Sequence, residues 1–116
     1  MPAQRGATKF ASGQAPISQA QGTDVAVITD PGKGTWEIWG TVRHTLVDGC
    51  RLAIGPVASP VVQFVITAGA NVAQDFGPVV VDILNSTDDI IIELQTATGG
   101  SDTASATVYA RRVTSI

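Results

Sequence analysis

The sequence predicts an all-β protein of antiparallel strands, stacked as a sandwich or closed as a barrel. From residue 24 onward, seven or eight short runs rich in Val, Ile and Thr alternate with turns containing Gly, Pro or Asp. This is the composition of strands and their connections. Several runs alternate polar and apolar residues, and none has the caps and 3.6-residue period of a helix. Many short strands separated by turns are typical of a sandwich or a barrel.

Each run is bounded by residues that favour turns. Proline cannot donate to a β-ladder, so we expect Pro56, Pro60 and Pro78 at strand starts or sheet edges. The connections read PGKG, VDG, PVASP, AGAN, NSTDD and TGGSDT. In chain order the runs are DVAVITD (24–30), TWEIWGTVRH (35–44), CRLAIG (50–55), VVQFVIT (61–67), VAQDFGPVVVDIL (72–84), IIIELQTA (90–97) and ASATVYARRV (104–113).

The alternation in each run separates a core face from an outer face. Trp36 and Trp39 stand three residues apart, so a strand places them on opposite faces. The aliphatic neighbours of Trp36 assign it to the core, whereas Trp39 shares its face with polar residues. Ile91 and Tyr109 are likewise large apolar residues on polar faces. Single exposed apolar residues are common on monomers, but we expect a subunit interface that contains Trp39, Tyr109 and Arg111.

Residues 1–23 differ from the rest of the chain. They are rich in Ala, Gln, Ser and Gly, and they show no period of two or of 3.6 residues. Such a segment buries too little apolar surface to order itself. We therefore predict an extended N-terminal arm over 1–23 and a sandwich domain over 24–116. The arm residues expected to contact a partner are Arg5, Lys9, Phe10 and Ile17.

Charge is sparse and unevenly distributed. Only 15% of the 116 residues are charged, and the formal net charge is −3, whereas about 25% charged residues is usual. A largely neutral surface suits packing against other chains. Arg5 and Lys9 make residues 1–23 basic, and the rest of the chain is acidic, so the arm of one copy is suited to the body of another. Nucleic-acid binding is disfavoured, because Arg111 and Arg112 form the only cluster of basic residues.

The chain shows no motif of an enzyme. A single histidine, His44, and a single cysteine, Cys50, have no identifiable catalytic partner, and no G-x-S-x-G motif is present. We expect Cys50 to be a small buried hydrophobic residue rather than a nucleophile. One cysteine also excludes an internal disulfide and a cysteine metal cage. We therefore predict no enzymatic activity.

The acidic residues and the glycine pairs do not indicate a ligand site either. The segment NSTDD matches no calcium loop and is better interpreted as a turn in which Asn85, Ser86 and Asp88 bond to the main chain. PGKG lacks the flanking residues of a phosphate-binding loop. We expect no metal and no cofactor. No segment resembles a secretory signal or a membrane span, so synthesis in a cytoplasm and no membrane partner are expected.

The order of the motifs resembles the small jelly-roll virion proteins of tailed bacteriophages, the head decoration (cement) proteins and short head-fibre proteins. The resemblance lies in the Ala/Gln/Ser-rich N-terminal segment, GTWEIWGTVRH, GCRLAIG, and IIIELQTATGG followed by ATVYARRV. It covers about residues 24–113, and no functional site residue is carried by it. A similar strand order occurs in the trimeric jelly rolls of the TNF and C1q type.

This resemblance implies a non-enzymatic jelly roll, a homotrimer, seated on the outside of a phage head. The partner would be the major capsid protein, contacted by the arm. Two alternatives stay open. One is a receptor- or carbohydrate-binding module of a phage fibre, using Trp39 or Tyr109; the other is a minor tail or baseplate component.

Overall fold

The computed structural model describes residues 7–17, 20–44, 49–56, 58–66, 72–95 and 103–114. The described residues form eight β-strands and no helix. The strands are β1 (Lys9–Pro16), β2 (Asp24–Ile28), β3 (Gly34–His44), β4 (Cys50–Gly55), β5 (Val61–Ile66), β6 (Val72–Ile83), β7 (Asp89–Leu94) and β8 (Thr103–Thr114).

The strands form two antiparallel four-stranded sheets that pack face to face. One sheet has the order β1-β8-β3-β6, and the other has the order β2-β7-β4-β5. Strand 1 therefore pairs with 8, 2 with 7, 3 with 6 and 4 with 5. This is the pairing of a jelly roll, in which eight strands form two Greek keys. The predicted all-β antiparallel sandwich of jelly-roll type is confirmed.

The inward faces of both sheets supply one hydrophobic core. Trp36 is 1% exposed and belongs to this core, as its neighbours in the sequence predicted. Its indole Nε1 donates a hydrogen bond to the Gly32 carbonyl oxygen at 3.0 Å, and the Arg112 guanidinium lies 5.2 Å from its ring centroid. The polar edge of the buried indole is thus satisfied, as burial of a tryptophan requires.

The two sheets are closer together at one side of the sandwich than at the other. On the close side, β1 and β8 face inward with Ala and Gly, and a Cβ built on Gly13 would lie only 2.2 Å from the Val25 carbonyl oxygen. On the wide side, Phe64 of β5 and Phe76 of β6 contact each other at 6.2 Å. Small residues therefore allow β1 to pack directly on β2, and phenylalanines fill the opposite side.

Strand β1 lies inside the segment that the sequence assigned to the arm. Lys9–Pro16 pairs with β8 along its whole length, and Ala15 and Ile17 are buried in the core. The sandwich thus begins at Lys9 rather than at residue 24. The strand escapes sequence analysis because its inward residues are Ala11, Gly13 and Ala15, which produce only a weak hydrophobic alternation. Residues 1–6 lie outside the described part of the chain.

Candidate contact surface

The outer face of the β1-β8-β3-β6 sheet carries three aromatic rings in adjacent strands. Tyr109 of β8 is in register with Phe10 of β1 on one side and with Trp39 of β3 on the other. The rings of Trp39 and Tyr109 are stacked, with centroids 5.7 Å apart and an interplanar angle of 14°. Phe10 and Tyr109 lie 6.2 Å apart at 35°. We call Phe10, Tyr109 and Trp39 the aromatic row.

Within the chain, the outward-facing Trp39 contacts Tyr109 of the aromatic row. Trp39 is half-buried because Tyr109 covers one of its ring faces. Exposure increases toward the sheet edge, where Phe10 is 68% exposed. Cross-strand aromatic pairs contribute roughly 0.2–1 kcal/mol each to a sheet, so the row stabilises the sandwich while it keeps an apolar surface in solvent.

A bulge in β6 places a proline beside the indole of Trp39. Between the pairs Ile38–Val79 and Gly40–Phe76, the register shifts so that Gly77 and Pro78 lie opposite Trp39. Gly77 has φ +79°, and a Cβ there would approach the Ile38 carbonyl oxygen to 2.4 Å, so only glycine fits this backbone. The bulge lets β6 come close to β3 at Trp39.

Two shallow depressions flank the aromatic row. One has a volume of about 410 Å³ and is lined by Trp39, Pro78, Glu37, Arg111 and Thr8. The other, of about 490 Å³, is lined by small or polar side chains together with Arg43. Thr41, which lines the second depression, donates from Oγ1 to Asp75 Oδ1 at 2.7 Å. The face therefore combines a central apolar row with hydrogen-bonding groups on both sides.

The predicted subunit residues lie together on this face. Arg111 is adjacent to Tyr109 along β8, and its guanidinium forms an ion pair with Glu37 of β3, its partner in register. Both side chains are half-buried. The pair fixes Arg111 next to Trp39, so Trp39, Tyr109 and Arg111 form one continuous surface.

The four predicted arm residues do not stay together. Lys9 and Phe10 are exposed at the start of β1, and Phe10 joins the aromatic row. Ile17 is 4% exposed and packs in the chain's own core, which leaves it no surface for a partner. Arg5 lies outside the described residues.

Ile91, also expected to face outward, is fully buried, and its partners in register are Val27 and Ala53.

A second group of exposed apolar side chains was not predicted from the sequence. Among the described residues, the exposed large hydrophobic side chains other than Phe10 are all on β5 and β6 or directly after β6: Val61, Val62, Val65, Val80 and Leu84. We call this set the valine flank. Strands β5 and β6 are the outer strands of the two sheets on the wide side of the sandwich. The signal was present in VVQFVI and VVVDI, where apolar residues occupy both faces of an edge strand.

The candidates for chemistry do not form a site in the described part of the chain. Cys50 is fully buried, and this burial raises the pKa of its thiol to about 11, so the thiolate nucleophile is scarce at neutral pH. The side chain of His44 lies outside the described residues. Asp88 lies in the predicted turn, where its N–H donates to the Asn85 carbonyl oxygen at 3.1 Å. The Asn85 side-chain Nδ2 donates to Asp88 Oδ2 at 3.4 Å, whereas the prediction had these side chains bond to the main chain. Among the described residues, no three His, Cys, Asp or Glu side chains are grouped so as to hold a metal ion.

Charged residues also occur in the middle of the other sheet. Glu93 of β7 is 1% exposed and forms an ion pair with Arg51 of β4. The loop before β2 covers this region, since the Gly22 N–H donates to the Leu94 carbonyl oxygen and the Leu94 N–H donates to Thr23. Arg51 and Glu93 thus serve the packing of the sandwich.

Within the described residues, no helix is long and apolar enough to cross a membrane.

Comparison of the sequence with models of known protein families finds no match, and comparison with curated proteins finds none either. A function for this chain therefore has to be argued from its fold and its surfaces.

Proposed function

We propose that this chain is a structural virion protein, a decoration protein that binds the outside of a phage head and stabilises it. The observation that carries the proposal is the aromatic row on one sheet of a jelly roll. An eight-stranded jelly roll is the fold that the resemblance to phage decoration proteins implies. The row gives this small domain an exposed apolar surface, and tyrosine and tryptophan are enriched where protein surfaces meet.

The surface chemistry favours a protein partner. The chain has few charges for its length, and interface centres are depleted in charged residues. Trp39 and Tyr109 already stack on each other, so they lose little conformational freedom when a partner covers them. Arg111, held by Glu37, adds a fixed polar group at the rim. We assign this face to contacts between copies of the chain in a homotrimer.

The action of such a protein is mechanical. Each contact that spans a joint between capsid proteins adds buried apolar area, at about 25 cal/mol per Å², and this contact must break before the joint opens. Contacts from residues 1–6 and from Lys9 to the major capsid protein would hold the trimer on the shell. The protein would be made in the host cytoplasm and end on the capsid surface.

The proposal is tested by co-sedimentation with heads of the phage that encodes the chain. Deletion of residues 1–6 combined with Lys9→Glu should reduce binding at least tenfold without loss of folding. A longer deletion is unsuitable because it would remove β1. Lys33→Glu, at an exposed position before β3, is the matched control and should bind normally. If the wild-type protein does not bind heads, the proposal is refuted.

The second candidate is a carbohydrate- or receptor-binding module of a phage fibre. The two depressions beside the aromatic row favour it, because a sugar ring can stack on an aromatic side chain while its hydroxyl groups bond to polar neighbours. A glycan array distinguishes the candidates. Binding that is lost in Trp39→Ala, with heads left unbound, would support the fibre module. A minor tail or baseplate component would instead bind purified tails.

A further inference from the structure

The exposed apolar residues lie at opposite sides of the same sheet. In the order β1-β8-β3-β6, Phe10 is on the first edge strand and Val80 is on the last. They are 68% and 65% exposed. Val61, 66% exposed, is on β5, the edge strand of the other sheet on the same wide side of the sandwich. The chain thus has two unlike apolar edges.

The two edges carry only a few of the features that protect an edge strand in a monomer, namely Lys9 on β1 and Asp75, Asp82 and the bulge at Pro78 on β6. Edge strands with free N–H and C=O groups usually carry charges or are covered by other elements. Strand β5 has no charged residue, and the stretch 79–81 of β6 is three consecutive valines. These two stretches therefore present apolar side chains at an edge without a charge of their own.

The charges of the two edges are complementary. Strand β1 has one charged residue, Lys9, which is exposed. Strand β6 has two, Asp75 and Asp82, which are exposed as well. Contact of β6 with a second β6 would bring like charges together, whereas contact of β6 with β1 brings opposite charges together. The charges therefore favour a pairing of unlike edges.

The strand directions permit the same pairing. Because all neighbours in the sheet are antiparallel, β1 and β6 run in opposite directions. A β1 strand from a second copy can therefore lie beside β6 and continue the antiparallel order. The second copy does not have to be inverted, so each junction leaves a free β1 edge and a free β6 edge.

We propose that the β1 edge of one copy, with Lys9 and Phe10, docks on the valine flank of a second copy. The contact is head-to-tail, so it closes into a ring when the rotation between copies allows it. The inference rests on the proposed function in one respect, since that function requires several copies of the chain. The inference identifies the surface that the second copy supplies, which is its valine flank. It also extends the subunit face from Trp39 and Tyr109 outward to Phe10.

The test is a mixing experiment with one variant for each edge. Phe10→Asp removes the docking residue, and Val80→Asp places a charge in the valine flank. Each variant alone should associate at least about thirtyfold more weakly, equivalent to about 2 kcal/mol at 1.4 kcal/mol per tenfold. Mixed together, the Val80→Asp copy still has Phe10 and the Phe10→Asp copy still has Val80. One intact junction should form, which light scattering detects as a dimer.

Matched controls lie on the same strands. Gln14→Asp on β1 and Gln74→Asp on β6 add the same charge at exposed polar positions, four residues from Phe10 and six from Val80 along the strand, and both should assemble like the wild type because they replace no apolar docking residue. Far-ultraviolet circular dichroism and thermal melts verify folding. If an aspartate variant is unfolded, Phe10→Ser and Val80→Thr replace it, since serine and threonine suit an exposed strand edge.

Three outcomes would overturn the head-to-tail contact. These are a wild-type monomer at about 100 µM, an unchanged assembly of Phe10→Asp, and a mixture that stays monomeric. The head-binding assay separates this inference from the proposed function. A ring that ignores phage heads would refute the virion function and leave the contact standing, whereas a monomer that binds heads would do the reverse.

Discussion

Replacement of Gly13 by alanine tests whether β1 belongs to the sandwich. The new Cβ would lie 2.2 Å from the Val25 carbonyl oxygen, so β1 and β2 must move apart by roughly 1 Å to restore an ordinary contact. Overpacking of this kind costs about 1–3 kcal/mol. Alanine also restricts the unfolded chain, which offsets about 0.4–1 kcal/mol. We expect a net loss of about 1–2 kcal/mol.

The sign of this effect distinguishes the two descriptions of the N-terminal segment. If residues 9–16 were a loose arm, Gly13→Ala would leave the free energy of unfolding unchanged or raise it slightly. In the sandwich it lowers this free energy and should lower the Tm by roughly 4–10 °C. Urea and thermal unfolding followed by tryptophan fluorescence measure it. Ser12→Ala, on the outer face of β1, is the control and should stay within about 0.5 kcal/mol of the wild type.

A Gly13→Ala protein as stable as the wild type would refute the direct packing of β1 on β2. It would also contradict the unequal spacing of the two sheets, in which small residues occupy the close side and phenylalanines the wide side. The position of Phe10 at the edge of the aromatic row depends on β1 as well, so the same result would remove the geometric basis of the docking surface.

Three further predictions concern charged groups and the thiol. Arg51→Met should lower the free energy of unfolding by about 3–5 kcal/mol, measured by urea unfolding, because it leaves the buried Glu93 without its partner. Arg51→Met combined with Glu93→Met should recover most of this loss. A double variant as unstable as Arg51→Met would contradict the prediction. Burial, and secondarily the Asp89 carboxylate, raise the pKa of Asp24 above its usual 3.8. The fold therefore prefers protonated Asp24, and its contribution to stability is present at low pH and lost as pH rises through the folded pKa. Asp24→Asn should thus gain stability over the wild type at pH 7 but not at pH 3, as measured by melts at both values. The pKa of Cys50 is raised to about 11, so its thiol should react with a thiol reagent at pH 8 at least a hundredfold faster in denaturant than in the folded protein. Rapid labelling of the folded protein would show an accessible thiolate and contradict this prediction.

Much of the fold could be predicted from the sequence because period two is a local signal. The runs from residue 24 onward correspond to β2 through β8, and the spacing of Trp36 and Trp39 assigned one indole to each face. The same local reasoning failed where residues were small or buried on both sides. β1 hides its alternation in Ala and Gly, and Ile91 is covered by neighbouring strands that no periodicity identifies.

The sequence by itself determined that this chain is a β-sandwich, which indole enters its core, and that its surface has few charges. These properties follow from backbone geometry and side-chain polarity at each position. Only the tertiary structure decided which distant residues become neighbours. The pairing of β8 with both β1 and β3 brings Phe10, Tyr109 and Trp39 into one row. The arrangement of the eight strands in two sheets also places the valines of β5 and β6 on the side of the sandwich away from β1. Strand order across a sheet is set by the packing of the whole chain.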